Sequence, residues 1–92
     1  MNIGVKFMII DISTEINNSL ELNSNANVLF DKLNKCDENE FIIDFKDVYF
    51  VSRTFAQAYY ASKKRSPKKV TEINLSKDVK PMMEMIEKQI MF

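Results

Sequence analysis

The stretch that decides the fold is residues 41–60, FIIDFKDVYFVSRTFAQAYY. Residues 41–45 are apolar apart from Asp44, and so short a run fits a strand buried on both faces better than a helix. A second apolar run, residues 48–51, stops at hydroxyl side chains that can cap a helix. The stretch predicts a strand, a sharp corner and a helix at the centre of a small α/β domain. We expect a partner to be recognised at this corner.

The size and charge of the chain limit the classes of protein it can belong to. Its 92 residues are 46% hydrophobic, enough to fill one core, and they predict a single domain over residues 1–92. Thirteen basic and thirteen acidic side chains cancel, which argues against a surface built as a whole for nucleic acid or an anionic membrane. Residues 1–12 are interrupted by Lys6 and Asp11, so they match neither a signal peptide nor a membrane span. We expect a cytoplasmic protein.

Residue types that catalysis and cofactor binding require are scarce. The one glycine, Gly4, cannot build a phosphate-cradling loop, because such loops need several glycines for the backbone to approach the phosphate. The chain has no histidine to serve as a base near neutral pH, and its one cysteine, Cys36, cannot form a metal cluster. Asp44 and Asp47 form no recognisable acid–base pair. We predict a protein that is not an enzyme and binds no cofactor or metal.

The remaining pattern alternates between strands and helices. Strands are predicted over residues 5–12, 41–45 and 70–75, with a short extended piece at residues 20–22. Helices are predicted from a cap at Asn23 or Ser24 to about Lys35, after the corner at Ser52, and from residues 78–80 onward with Ser76 or Asp78 as the cap. Helices that return the chain between strands predict a mixed sheet of about four strands with about three helices packed on it.

Three motifs in this order carry a family resemblance. They are IIDFKDV at residues 42–48, FVS at residues 50–52 before a helix opening TFA, and INLS at residues 73–76 before Val79 and a terminal amphipathic helix. The order resembles the STAS domain shared by sulphate transporters and anti-sigma factor antagonists, and resembles still more a group of small STAS-like proteins of unassigned function. The resemblance covers residues 24–88. It implies a mixed sheet flanked by helices, no catalysis, and a regulatory protein-binding module facing a histidine-kinase-type ATPase or a transcription regulator.

The corner departs from the pattern of anti-sigma factor antagonists. Those proteins typically carry Asp, a phosphorylated Ser, Ser or Thr, Gly and Leu, where this chain has SRTFA at residues 52–56. Arg53 stands at the acceptor position, so the phosphorylation switch cannot operate there. Ser52 or Thr54 could be the phosphoacceptor instead, or one hydroxyl simply caps the helix. We predict that Ser52, Arg53 and Thr54 bind the partner, with a merely solvated Arg53 as the alternative.

A basic segment at residues 63–69, KKRSPKK, supports a rival function, nucleic-acid binding. Clustered cations gain affinity by releasing counterions from phosphates. The candidate residues are Lys63, Lys64, Arg65, Lys68 and Lys69. No aromatic residues are interleaved with them, although Tyr60, one turn earlier, could be exposed. A solvated connection between helix and strand is the alternative explanation.

The last predicted helix is rich in methionine, an adaptable side chain at binding surfaces. Core packing accounts for Met82 or Met83. Met85 and Met91 lie off the apolar stripe, so they could form a homodimer contact or a partner groove.

Overall fold

Strands and helices alternate along residues 7–92, the part of the chain that the computed structural model describes. Within that range there are five strands and four helices, which confirms the predicted α/β class. In chain order they are β1 Phe7–Asp11, α1 Ile12–Glu15, β2 Ser19–Leu20, α2 Asn23–Lys35, β3 Glu40–Asp44, β4 Phe50–Val51, α3 Arg53–Arg65, β5 Lys69–Ile73 and α4 Lys80–Met91. The first two positions of the predicted first strand, residues 5 and 6, lie outside the described residues. No helix within residues 7–92 combines the length and apolar character needed to cross a membrane.

The main sheet contains three parallel strands, with β3 in the centre and β1 and β5 at the edges. The register aligns Ile9 of β1, Ile42 of β3 and Thr71 of β5 in one row. A second, two-stranded parallel ladder joins β2 to β4. Each pair is connected through a segment that contains a helix, and such crossovers return the chain to the same end of the sheet. The strand count and orientation therefore differ from the prediction of about four strands in one mixed sheet.

The second apolar run forms a separate strand because the backbone turns sharply after β3. Asp44 ends β3, and its carboxylate accepts a hydrogen bond from the Lys46 amide at 2.9 Å. The Val48 amide donates to the Phe45 carbonyl at 3.0 Å. Between them Asp47 has a φ of 65°, a left-handed conformation that Asp tolerates better than most residues. This turn directs the chain away from the main sheet before β4 begins.

The core lies on one face of the main sheet. Phe41 and Ile43 of β3 are buried, whereas Ile42 between them is only half-buried. α3 lies between α2 and α4, and all three helices contribute buried residues to the core. The prediction that β3 is buried on both faces is wrong, because the helical layer covers only one of them.

Tyr59 of α3 occupies the centre of this core. Its ring centroid lies 5.2 Å from that of Phe30 and 6.0 Å from that of Phe45, both in edge-to-face geometry. Tyr60 packs against it at 5.1 Å and is buried as well. The expectation that Tyr60 is exposed is wrong, since α3 has a neighbouring helix on each side.

α2 and α4 begin without the side-chain caps expected from the sequence. The N-cap of α2 is Leu22, and its amide donates to the Asn25 side chain at 3.0 Å, so Asn23 and Ser24 are already helical. α2 ends at Lys35, as predicted.

The start of α4 at Lys80 falls within the predicted range, with Pro81 in the first turn. Its N-cap is Val79, and the amides of Val79 and Lys80 both donate to the Ser76 carbonyl. A backbone turn therefore replaces the cap predicted at the side chain of Ser76 or Asp78.

Candidate protein-binding surface

Two helices begin side by side where β2 and β4 end. The ladder pairs Leu20 with Val51, and the Ser52 amide continues it by donating to the Leu20 carbonyl at 2.9 Å. α2 follows the first strand directly after Leu22, and α3 follows the second directly after Ser52. Because the strands are parallel and adjacent, the positive ends of both helix dipoles lie at the same edge of the fold.

The Ser52 hydroxyl is fully used by the fold. Its Oγ accepts from the Phe55 amide at 2.9 Å, which caps α3, and donates to the Glu21 carbonyl at 2.7 Å, which ties the two helix starts together. The interpretation of Ser52 as a helix cap is confirmed. A phosphate on this oxygen would abolish the bond to Glu21, so Ser52 is a poor phosphoacceptor in the folded protein.

Arg53 and Thr54 occupy the first turn of α3, and both are exposed. The guanidinium of Arg53 forms no ion pair with any carboxylate in residues 7–92. A cation at the positive end of a helix costs about 0.3–1 kcal/mol. Arg53 is thus held in an unfavourable electrostatic position without an internal role, beside a hydroxyl that is open to solvent.

Three large apolar side chains on the segments that lead into α2 and α3 are also exposed. The exposed fractions are 61% for Leu22, 61% for Tyr49 and 44% for Phe50. We call Leu22, Tyr49, Phe50, Arg53 and Thr54 together the corner surface. Aromatic residues and arginine are enriched at the centres of protein interfaces, and a few such residues supply most of the binding energy.

The apolar members of the corner surface were missed when only hydroxyls and charge were considered. Residues 48–51 are four apolar residues in succession, and a strand covered on one side cannot bury all of them. Val48 and Val51 are buried, which leaves Tyr49 and Phe50 outside. The run of four apolar residues was therefore the feature of the sequence that could have indicated exposed aromatic residues at the corner.

The lysines of the basic segment are divided among separate internal partners. Lys63 is mostly buried and pairs with the Glu72 carboxylate at 2.9 Å. Lys64 Nζ donates to the Ile90 carbonyl at 3.0 Å, close to the end of α4. Both lysines are therefore engaged by neighbouring elements of the fold.

The other three cations of this segment, Arg65, Lys68 and Lys69, have different surroundings. Lys68 Nζ donates to the carbonyls of Cys36 and Glu38 at 2.8 and 2.7 Å, at the negative end of α2 where a cation is favourable. Arg65 and Lys69 remain exposed, and Lys69 lies 3.8 Å from a carboxylate oxygen of Glu40. Of the five cations predicted to bind nucleic acid, Lys64, Arg65 and Lys69 are therefore exposed, whereas Lys63 and Lys68 are partly buried and bound to internal groups.

Buried polar groups link α3 to β5. The Tyr59 hydroxyl donates to Glu72 Oε2 at 2.7 Å, and Lys63 Nζ lies within 3.1 Å of both oxygens of that carboxylate. Burial, followed by the Glu72 charge, raises the pKa of Tyr59 well above its ordinary value. The same two causes raise the pKa of Tyr60. The Tyr59 hydroxyl, the Lys63 ammonium and the Glu72 carboxylate are thus hydrogen-bonded to one another inside the protein. This network stabilises the fold and is not exposed for a ligand to bind.

Carboxylates also meet at the carboxyl ends of the parallel strands, where open α/β sheets commonly bind ligands. Asp11 accepts from the Ser13 hydroxyl at 2.8 Å, which is the main cause that lowers the pKa of Asp11. Asp44, its register partner, accepts from the Asn74 amide group at 3.0 Å, and Lys46 Nζ lies 3.7 Å from Asp11. These contacts tie the turns to one another. Within residues 7–92 no group of three His, Cys, Asp or Glu side chains could hold a metal ion.

An open polar cavity of about 430 Å³ lies between α2 and α3. Its lining includes Asn34, Arg65 and Ser66, and the Ser66 hydroxyl donates to the Asn34 side chain at 2.7 Å. Cys36, near the end of α2, is half-buried and donates to the Lys32 carbonyl. Asp31 also lines the cavity, whereas Cys36 does not.

Most of the methionines of α4 pack in the core or against it. Met83 is buried, and Met82 and Met91 are partly buried against the core. Met85 is exposed, so it alone of the two residues considered for a homodimer contact is open to solvent.

No protein-family model matches this sequence, and no curated protein or solved structure is significantly similar to it.

Proposed function

We propose that this chain is a non-catalytic regulatory module of STAS-like type that binds a partner protein through the corner surface. The observation that carries the proposal is the exposure of Tyr49, Phe50 and Leu22 on the segments that lead into α2 and α3, together with an Arg53 that forms no ion pair within residues 7–92. None of these side chains is required to fill the core, and exposed apolar groups in one place commonly mark an interaction site.

The chemistry of the corner surface defines the partner. Aromatic side chains fit an apolar groove, while Arg53 and the positive ends of α2 and α3 favour carboxylates around that groove. The partner is therefore a protein with an apolar centre and an acidic rim. The family resemblance suggests a histidine-kinase-type ATPase or a transcription regulator.

Thr54 offers a means of regulation. Its side chain is exposed, in contrast to the engaged hydroxyl of Ser52. A phosphate at Thr54 would add a charge of about −1.5 to −2 beside Arg53 at a helix N-terminus, where backbone amides stabilise it. The added charge would repel an acidic partner and release the complex.

The test uses the two arginines at opposite ends of α3. The full chain is immobilised and exposed to an extract of the native cell, and retained proteins are identified for wild type, Arg53→Glu and Arg65→Glu. Both substitutions make the same charge change on an exposed side chain of the same helix. Glu is favourable near a helix N-terminus, so Arg53→Glu should not unfold the protein. Phe50→Ser tests the apolar part, with the exposed Val28→Ser of α2 as its control.

We expect one retained protein to be lost with Arg53→Glu and Phe50→Ser and kept with Arg65→Glu and Val28→Ser. The purified partner should then bind the first two variants more weakly in a titration. Retention that is the same for all variants contradicts the proposal. Loss with Arg65→Glu alone, together with salt-dependent retention of the wild type on heparin, would instead support nucleic-acid binding by the basic segment.

A further inference from the structure

The two edge strands of the main sheet differ in a way that the proposed function does not explain. β5 carries Lys69, Thr71 and Glu72, polar residues of the kind that protect an edge from pairing with another chain. β1 presents Phe7, Met8 and Ile9, three consecutive apolar residues that are 53%, 37% and 57% exposed. One edge of the sheet is protected and the other is not.

Both faces of β1 are uncovered at these positions. Met8 shares a row with Phe41 and Val70 on the helix-covered side, but Phe41 and Val70 are buried while Met8 is exposed. Ile10, the next residue on that side, is buried, so the helical layer reaches β1 at Ile10 and leaves Met8 exposed. Phe7 and Ile9 lie on the other side, which the helices leave open.

The sequence of β1 is that of an inner strand. Parallel strands with neighbours on both sides and both faces covered read as continuous apolar runs, and FMII at residues 7–10 is such a run. Within residues 7–92, however, β3 is the one strand that pairs with β1. The outer edge of β1 offers backbone hydrogen-bonding groups to a further strand.

We propose that two copies of this chain associate by pairing their β1 strands antiparallel across a two-fold axis. The outer edge of β1 can be paired by an extended strand that has an unpaired edge of its own and apolar side chains on both faces. β1 of a second copy has these properties. A two-fold axis satisfies both edges at once and forms a closed dimer, with one continuous six-stranded sheet. The pairing does not involve the corner surface, which remains accessible in each copy.

The first experiment measures the mass of the full-length chain by sedimentation velocity over micromolar concentrations. The wild type should show a dimer that dissociates on dilution. Ile9→Lys should be monomeric throughout, because it places a charge on the pairing strand. Thr71→Lys is the matched control: it lies in the same row and on the same face, but on the protected edge, and it should dimerise as the wild type does. A cooperative thermal unfolding transition in both variants excludes loss of the fold as the cause.

The second experiment locates the axis by disulfide trapping in a Cys36→Ser background. Opposite residues of an antiparallel pair have Cα atoms about 4.5–5.5 Å apart, within the range a disulfide requires. Of Phe7→Cys, Met8→Cys and Ile9→Cys, at least one should form a covalent dimer under mild oxidation, whereas Thr71→Cys should not. A monomeric wild type, dimer loss in Thr71→Lys, or equal crosslinking of Thr71→Cys would each overturn the proposal.

Discussion

The two ends of α3 carry similar cations in opposite situations. At the start of the helix, Arg53 is exposed and forms no ion pair within residues 7–92. At the end, Lys63 is paired with Glu72, and Lys64 donates to the Ile90 carbonyl. The end of the helix has the higher density of positive charge in the sequence, yet Lys63 and Lys64 there already bind internal groups, whereas Arg53 at the start does not.

This difference shows that a cation contributes to binding according to what its side chain already satisfies. A lysine that neutralises a buried carboxylate or a helix C-terminus cannot move to a phosphate without leaving a polar group unpaired. An arginine at a helix N-terminus neutralises no internal group, so it can bind a partner without leaving a polar group of its own protein unpaired. Four predictions test the contrast, from the largest expected effect to the smallest.

Phe45→Ala should destabilise the protein by about 3–5 kcal/mol, which is a large part of a small domain's stability. Phe45 is fully buried, its ring packs against Tyr59 in the middle of α3, and its amide donates to the Ile73 carbonyl of β5 at 2.9 Å. The free energy of unfolding in urea measures the effect. Phe92→Ala is the control, since Phe92 is 90% exposed and should change stability little. An unchanged midpoint for Phe45→Ala would mean that Phe45 and the strand before it are not part of the core.

The same substitution at the two ends of α3 should have different consequences. Lys63→Met leaves the Glu72 carboxylate mostly buried without its cation and should cost about 1.5–3 kcal/mol. Arg53→Met removes an exposed charge with no internal partner and should alter stability by less than about 0.5 kcal/mol. Both are measured by equilibrium unfolding. Similar losses for the two variants would show that Arg53 has a structural role after all.

Stability should fall as the pH rises above about 10, where tyrosine in the unfolded chain begins to ionise. Burial raises the folded-state pKa of Tyr60, so its contribution is fully present below that pH and is lost above it. Tyr60→Phe should make the decline shallower by about 1.4 kcal/mol per pH unit. The free energy of unfolding in urea, measured from about pH 8 to about pH 11, gives the slope for each variant. Equal slopes for Tyr60→Phe and wild type would contradict the raised pKa of Tyr60.

Ser52→Ala should destabilise the protein by about 0.5–2 kcal/mol, the usual cost of losing an N-cap. The substitution also leaves the Glu21 carbonyl without its donor. Thr54→Ala should be close to neutral, since its hydroxyl is exposed in the first turn of α3. Thermal midpoints compare the pair. A larger loss with Thr54→Ala would reverse the roles of the two hydroxyls and reopen Ser52 as the phosphoacceptor.

The two edge strands illustrate where sequence patterns cease to be informative. The apolar run in residues 5–12 predicted a strand, and β1 is present from Phe7 to Asp11. The same pattern could not say that β1 lies at an edge, because position in a sheet depends on which strands pair and in what order. For the same reason Ile42 was expected to be buried and is half-exposed.

The sequence by itself determined the long helices and the strands of the main sheet, although not the short α1, because the causes of helices and strands are local. Apolar periodicity located α2, α3 and α4, and Ser52 marked the start of α3 since a cap bonds an amide only three residues away. Only the tertiary structure decided which side chains are available. Ser52 also bonds Glu21, 31 residues earlier, and Lys68 bonds the Cys36 carbonyl across 32 residues. Such partners come together only when the chain folds. Tertiary packing therefore decided that Lys63 and Lys68 bind internal groups and that Tyr49, Phe50 and Arg53 stay exposed at the surface.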